Sequence, residues 1–189
     1  MEFKKNRIIL DKAINNLDRF VIDIVEILKK HTDYVLVSGY VAILFGRSRT
    51  TEDVDMLIPR MDISKFKTMY KDIKKKFWCI NAENPNELFD MLKTGHSIRF
   101  AVKKKAIPNM EIKFMKNDLD KESFSDRIEV VIGKNTLLVS PIEMQIAYKE
   151  KILKSEKDME DALHLREVFK DRIKKEKIKY YERMISEYG

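Results

Sequence analysis

The sequence predicts an α+β fold: a mixed β-sheet flanked by helices, with a helical C-terminal part. Three observations carry this. Short β-branched runs ("YVLVS", "VDMLI", "RIEVVI") mix irregularly with amphipathic segments rather than alternating strand by helix. From Pro141 towards Tyr188 the pattern is helical, broken near Lys154–Glu156. No repeat, low-complexity tract or Gly/Ser/Pro-rich linker divides the chain. The expected organisation is an α+β core over 1–139 and a helical subdomain over 140–189 packed on it.

Each element has its own signal. From Phe3 to Lys30, Ile9, Ala13, Leu17, Phe20, Ile24 and Leu28 recur at three- and four-residue steps, predicting one long N-terminal helix that could support a dimer. "YVLVS" (34–38) is a strand, Tyr40–Phe45 a short helix stopped by Gly46, and "VDMLI" (54–58) a strand closed by Pro59. Asp62 caps a helix through Lys76 with Ile63, Phe66, Met69, Tyr70 and Ile73 on one face. "FWCI" (77–80) is a further strand, with Trp78 and Cys79 read as core. Asn84-Pro85 opens a helix that Gly95 ends. "SIRFAVKK" (97–104) and "MEIKFM" (110–115) are strands, and Gly133-Lys134-Asn135 joins two more as a hairpin.

Composition narrows the class. A chain of 189 residues, 44% hydrophobic, suffices for one well-packed domain, burying roughly 70% of its unfolded surface. Charged residues reach 37%, against about 25% in an ordinary domain; that balance suits heat adaptation but equally an AT-rich genome. The net charge of +7 and pI near 9.3 favour a polyanionic partner such as a nucleotide or RNA. A lone cysteine, Cys79, excludes an internal disulfide framework and points to a reducing compartment. Asp11 and Lys12 interrupt the apolar run at the start, and no window approaches the ~18 apolar residues of a membrane span. The expectation is a soluble, cytoplasmic protein. His31, His96 and His164 have no metal-like spacing, which argues against zinc.

The chemistry concentrates in "SGYVAILFGRSRTTEDVDMLIP" (38–59). On a strand, Asp53 and Asp55 project from one face, amid Val54, Met56, Leu57 and Ile58, which ask for burial. Carboxylates there want a cation, and magnesium prefers such oxygen donors, completing its shell with water or phosphate. Upstream, Ser38-Gly39 ends a strand before a helix start, a turn where phosphate can approach backbone N–H groups. Arg47 and Arg49 lie between, placed to neutralise phosphate oxygens.

This segment resembles the signature of the nucleotidyltransferase superfamily, the polymerase-beta-like fold. More narrowly, Arg49-x-Thr51-x-Asp53-Val54-Asp55 resembles the R-x-T-x-D-x-D segment of the abortive-infection and toxin-like minimal nucleotidyltransferases. "SPIEMQIAYKEKILKSEKDMEDALHL" (140–165) is similar to their C-terminal region, with Lys157, Asp158 and Asp161 in its K-D-x-x-D pattern. The resemblance implies nucleotidyl transfer from an NTP to an RNA (tRNA-like) or protein acceptor, with a cognate antitoxin among the expected partners and a monomer or homodimer as the assembly. It implies two magnesium ions, or manganese, on Asp53, Asp55 and a third carboxylate, Glu111, which would help deprotonate the nucleophile. Ser38, Gly39, Arg49 and Thr51 would belong to the nucleotide site. Lys157, Asp158 and Asp161 would close it from the helical side, with Lys149 the weaker candidate. The chain departs from the pattern at Ser38, where a glycine is usual, and at bulky Tyr40.

Two rival readings stand beside this one, and the first uses the same residues. Glu111-Ile112-Lys113 with Asp55 resembles the core of restriction-endonuclease-like nucleases, in which carboxylates hold magnesium and the lysine assists water. Alternatively the site is decayed and the chain binds nucleotide or RNA, with Lys103-Lys104-Lys105 beside Arg99 and Phe100 touching phosphates.

Overall fold

Alternation of apolar and polar residues builds a nine-stranded mixed sheet in the computed structural model, which describes residues 1–4 and 6–188. The strands are β1 (Glu2–Lys4), β2 (Arg7–Leu10), β3 (Val35–Val37), β4 (Asp53–Ile58), β5 (Phe77–Cys79), β6 (Ile98–Val102), β7 (Asn109–Phe114), β8 (Ile128–Ile132) and β9 (Asn135–Val139). Their spatial order is β1-β2-β8-β9-β3-β4-β7-β6-β5. Three adjacent pairs are parallel (β2/β8, β9/β3 and β4/β7), so the sheet is mixed as expected.

One face of the sheet is the core side. Val54, Met56 and Ile58 of β4, Met110 and Ile112 of β7, and Ile98 and Phe100 of β6 are all buried there. Three helices cover it: α1 (Asn16–Leu28), α3 (Ile63–Ile73) and α4 (Pro85–Lys93), on either side in sequence of the short α2 (Gly39–Leu44). Ring pairs mark the seams: Phe20 with Phe77 at 5.9 Å, Tyr70 with Phe100 at 6.1 Å and Phe89 with Phe114 at 6.0 Å between centroids. Each fully buried aliphatic side chain contributes about 1.5–3 kcal/mol. A one-residue slip of β4 would push Asp53 and Asp55 into this core, so its register is strongly fixed.

The long N-terminal helix expected from Phe3 is not formed. Arg7–Leu10 pairs in parallel with Glu129–Ile132, and Ile8 and Leu10 are buried by alternation rather than by helical period. The helix starts only at Asn16, where a capping box between Asn15 and Asp18 satisfies its first donors. The dimer argument resting on a longer helix loses its basis. A fifth helix, α5 (Asp118–Ser125), has no counterpart in the sequence reading; Asn117 and Asp120 cap it.

After β9 the chain is helical. α6 (Ile142–Tyr148) runs on into one π-helical turn at Lys149–Leu153. Lys154 then adopts φ 55°, and Ser155 caps α7 (Glu156–Val168), which precedes α8 (Lys175–Tyr188). α7 packs on α2, with Phe45 and Phe169 edge to face at 4.8 Å. Among the described residues no helix is long and apolar enough to cross a membrane.

Candidate active site

The second face of β4 and β7 carries the polar chemistry. Parallel pairing sets Asp55 opposite Glu111, and antiparallel pairing sets Arg99 opposite Glu111 on the other side. Asp53 is exposed, whereas the Asp55 side chain is only 24% exposed. Thr51 Oγ1 donates to the Asp53 carbonyl at 2.9 Å and reaches its carboxylate at 3.4 Å, steadying that acid.

Glu111 is committed to two cations. Its Oε1 lies 2.6 Å from Lys113 Nζ and its Oε2 accepts from Arg99 Nε at 2.9 Å. Lys113 Nζ also stands 3.6 Å from Asp55 Oδ1. Burial alone would raise the Glu111 pKa, but the hydrogen bonds from Lys113 and Arg99 outweigh it and hold the carboxyl below its ordinary value. For Asp55 burial wins. Its pKa is raised, with Glu111 and Asp53 adding to the effect and Lys113 and the Ser38 side chain opposing it.

The Ser38-Gly39 turn sits beside Asp55, because Val37 pairs with Asp55 across β3 and β4. Ser38 has φ 65° and ψ −141°, strained for a residue with a Cβ, and its N–H donates to Gln145 Oε1 at 3.0 Å. Gly39 lets Arg49 approach closely: an added Cβ would meet its guanidinium at 3.1–3.2 Å, so the arginine would have to shift by a few tenths of an ångström. Bulky Tyr40 does not obstruct the turn. It is fully buried, and its hydroxyl donates to Asp18 Oδ1 at 2.9 Å.

Behind the turn, Asp161 of α7 gathers the cations. Arg49 Nη1 is 2.5 Å and Lys149 Nζ 2.9 Å from its Oδ2, and Arg47 Nε is 3.7 Å from its Oδ1. Lys149 also reaches Asp158 Oδ1 at 3.2 Å, and Asp158 accepts from the Ser155 hydroxyl. Lys149 and Asp161 are both fully buried, so this is an internal network, not a surface pairing. The helical candidates thus meet Arg49, with one exchange. Lys157 is exposed on α7, and Lys149, brought inward by the π-helical turn, takes the buried place.

For a metal, the donor chemistry divides. Asp53 and Asp55, hard oxygen donors on one face, fit a divalent ion such as magnesium. Among the described residues no group of three acidic, histidine or cysteine side chains comes together as a metal-holding cluster. Glu111 is engaged by Arg99 and Lys113 instead.

A cleft of about 410 Å³ opens beside these residues. Ser38, Asp55, Lys113, Lys116, Gln145 and Tyr148 are among its lining, so it runs from the acids towards α5 and α6. Sequence reasoning passed over Gln145 and Tyr148; their only signal was polarity within an otherwise apolar helix.

No protein-family model matches the chain, and no curated protein sequence matches it. Solved structures do. An antigenic nucleotidyltransferase-like protein from Paracoccidioides brasiliensis superposes with a TM-score of 0.53 at 12% identity, over 90% of this chain and 86% of that one. The antibiotic-resistance factor ANT(2'')-Ia matches with a TM-score of 0.53 at 9% identity, over 90% of this chain and 94% of that one. A second structure of it, in complex with adenylyl-2''-tobramycin, gives 0.53 at 10% identity over 92% and 97%. The fold is that of the nucleotidyltransferases. That fold agrees with the resemblance carried by residues 38–59.

Proposed function

We propose that this protein is a magnesium-dependent nucleotidyltransferase that moves a nucleotide from an NTP to a hydroxyl of an RNA or protein acceptor. One observation carries the reading: on a nucleotidyltransferase fold, Asp53 and Asp55 share an open sheet face with the Ser38-Gly39 turn, against which Arg49 is clamped by Asp161.

Each residue has a physical task. Arg49 commits Nη1 to Asp161 and Nε to the Thr50 carbonyl, leaving Nη2 beside Gly39 for the β- and γ-phosphates of the NTP. Lys149 and Asp158 keep Asp161 in place and so hold the arginine from behind. Asp53 and Asp55 would hold magnesium, or manganese, which when bound lowers the pKa of the acceptor hydroxyl and offsets charge on the departing pyrophosphate. The acceptor hydroxyl gives up its proton to solvent, its oxygen attacks the α-phosphorus, the bond to the pyrophosphate oxygen breaks, and pyrophosphate leaves. Lys113 adds fixed positive charge beside Asp55. Glu111 reads better as the anchor of Lys113 and Arg99 than as a third metal ligand or base, because both its oxygens are already bound.

The cleft sets Lys113 and Lys116 against Asp55 and Asp120, so it offers no net acidity to recruit a polycationic acceptor. With a chain charge of +7, an anionic acceptor such as RNA is favoured. The nuclease reading of Glu111-x-Lys113 loses support, since the similar structures are nucleotidyltransferase-like. A cognate antitoxin belongs to the toxin-like version of this proposal.

Calorimetry with the four NTPs, with and without magnesium, tests it on the wild type and on Asp53→Asn/Asp55→Asn. Magnesium-dependent binding that the variant loses is expected. Failure to bind any NTP overturns the transferase reading.

A further inference from the structure

The sheet face that bears the acids continues through buried Asn109 and Ala101 to the far edge of the sheet. Residue registers chain together there: Asp53 pairs with Asn109, Asn109 with Ala101, and Ala101 with Trp78. Directly opposed residues share a face, so Trp78 stands in one cross-strand row with Asp53 on the side that bears the carboxylates. Three strand spacings of about 4.8 Å put it roughly 14 Å away.

Trp78 is not core, contrary to the sequence expectation. Its neighbours Phe77 and Cys79 face inward, while Trp78 itself is 38% exposed on edge strand β5. The ring is nevertheless fixed, because Nε1 donates to the Lys105 carbonyl at 2.7 Å. That bond ties the indole to a turn of three exposed lysines, Lys103, Lys104 and Lys105, and none of them makes an ion pair among the described residues. Midway along the row, the Asn109 Oδ1 is buried and lacks a hydrogen-bond partner.

A preoriented, solvent-facing indole flanked by unpaired lysines has the chemistry of a single-strand binding platform: a base stacks on the ring and backbone phosphates meet the ammonium groups. We infer that Trp78 with Lys103–Lys105 is a subsite for single-stranded RNA, engaging the acceptor a few nucleotides before the end that reacts at Asp53 and Asp55. This rests on the transferase reading with an RNA acceptor. It accounts for a large aromatic left exposed on an edge strand, in line with the acids.

Trp78 is the only tryptophan, which makes its fluorescence a direct reporter. A short oligoadenylate RNA with a free 3′ hydroxyl is titrated at low salt, with a base-paired RNA of equal length as the control. Expected is quenching of Trp78 by the single strand and little by the duplex. Labelled-RNA affinity should fall about five- to a hundred-fold in Trp78→Ala and far less in Trp78→Phe, which keeps a stacking ring. Lys103→Ala/Lys104→Ala/Lys105→Ala should flatten the salt dependence by about two in logarithmic slope, near 0.7 per lost contact. Magnesium-NTP binding should be unchanged in every variant, which shows that they fold and separates this subsite from the nucleotide site. RNA bound without quenching, or with equal affinity in Trp78→Ala, overturns the inference. So does absence of RNA binding while NTP binding persists, an outcome that would favour a protein acceptor. RNA binding through Trp78 without any NTP binding would instead sink the transferase reading and leave the subsite standing.

Discussion

Arg49 lies against Gly39 so closely that its guanidinium carbon would be 3.2 Å from an added Cβ. Gly39→Ala is therefore expected to separate stability from binding. Alanine is favoured over glycine in a helix by roughly 0.5–1 kcal/mol, and the tip of a flexible arginine can shift by a few tenths of an ångström. Thermal unfolding should change little. NTP affinity by calorimetry should fall, because the displaced guanidinium no longer meets both Asp161 and phosphate.

The buried network behind Arg49 should respond unequally to its two members. Lys149→Met leaves Asp161 paired with Arg49 at 2.5 Å, whereas Asp161→Asn takes the shared carboxylate from Arg49 and leaves Lys149 only Asp158 at 3.2 Å. Removing one partner of a buried pair costs about 3–5 kcal/mol, and Asp161→Asn should sit at or above the top of that range and Lys149→Met at or below the bottom. Urea unfolding of both variants measures the order; a larger loss in Lys149→Met would contradict the hub role of Asp161.

Glu111→Gln probes the third carboxylate. If Glu111 anchors Arg99 and Lys113, manganese affinity should stay within about threefold of wild type. A metal ligand, by contrast, would be worth a tenfold change or more, about 1.4 kcal/mol. Titration followed by manganese electron paramagnetic resonance reads this without any turnover.

Asp55 carries a pH signature. Burial raises its folded pKa above the unfolded value, so the folded state binds the extra proton in the window between the two. Stability then falls as pH rises through that window, since the buried carboxylate must ionise. Asp55→Asn should be more stable than wild type at neutral pH in the absence of metal. The advantage should shrink as pH drops and vanish below the ordinary aspartate value of about 3.9. Urea unfolding from pH 3 to 7 gives the difference directly; an advantage independent of pH would point to a cause other than ionisation.

Much of this site was legible locally. The alternation of "DVDMLI" put Asp53 and Asp55 on one face, Asp62 capped its helix and Asn84-Pro85 opened one as expected, and Gly46 and Gly95 stopped theirs at positive φ. The N-terminal segment misled because "RIIL" fits a helical spacing through Ile9 and a strand alternation through Ile8 and Leu10 alike, and a partner more than a hundred positions away decided between them.

By itself the sequence determined the α+β class, the acid pair and the Ser38-Gly39 turn, since these rest on side-chain period and on contacts a few residues long. Tertiary structure alone decided three matters. Lys149 rather than Lys157 went inside, Glu111 was given to Arg99 and Lys113, and Trp78 was left in solvent. Whether a charge is buried or a ring exposed depends on which distant element lies over it. That is fixed by strand order and helix packing, which no short stretch of chain encodes.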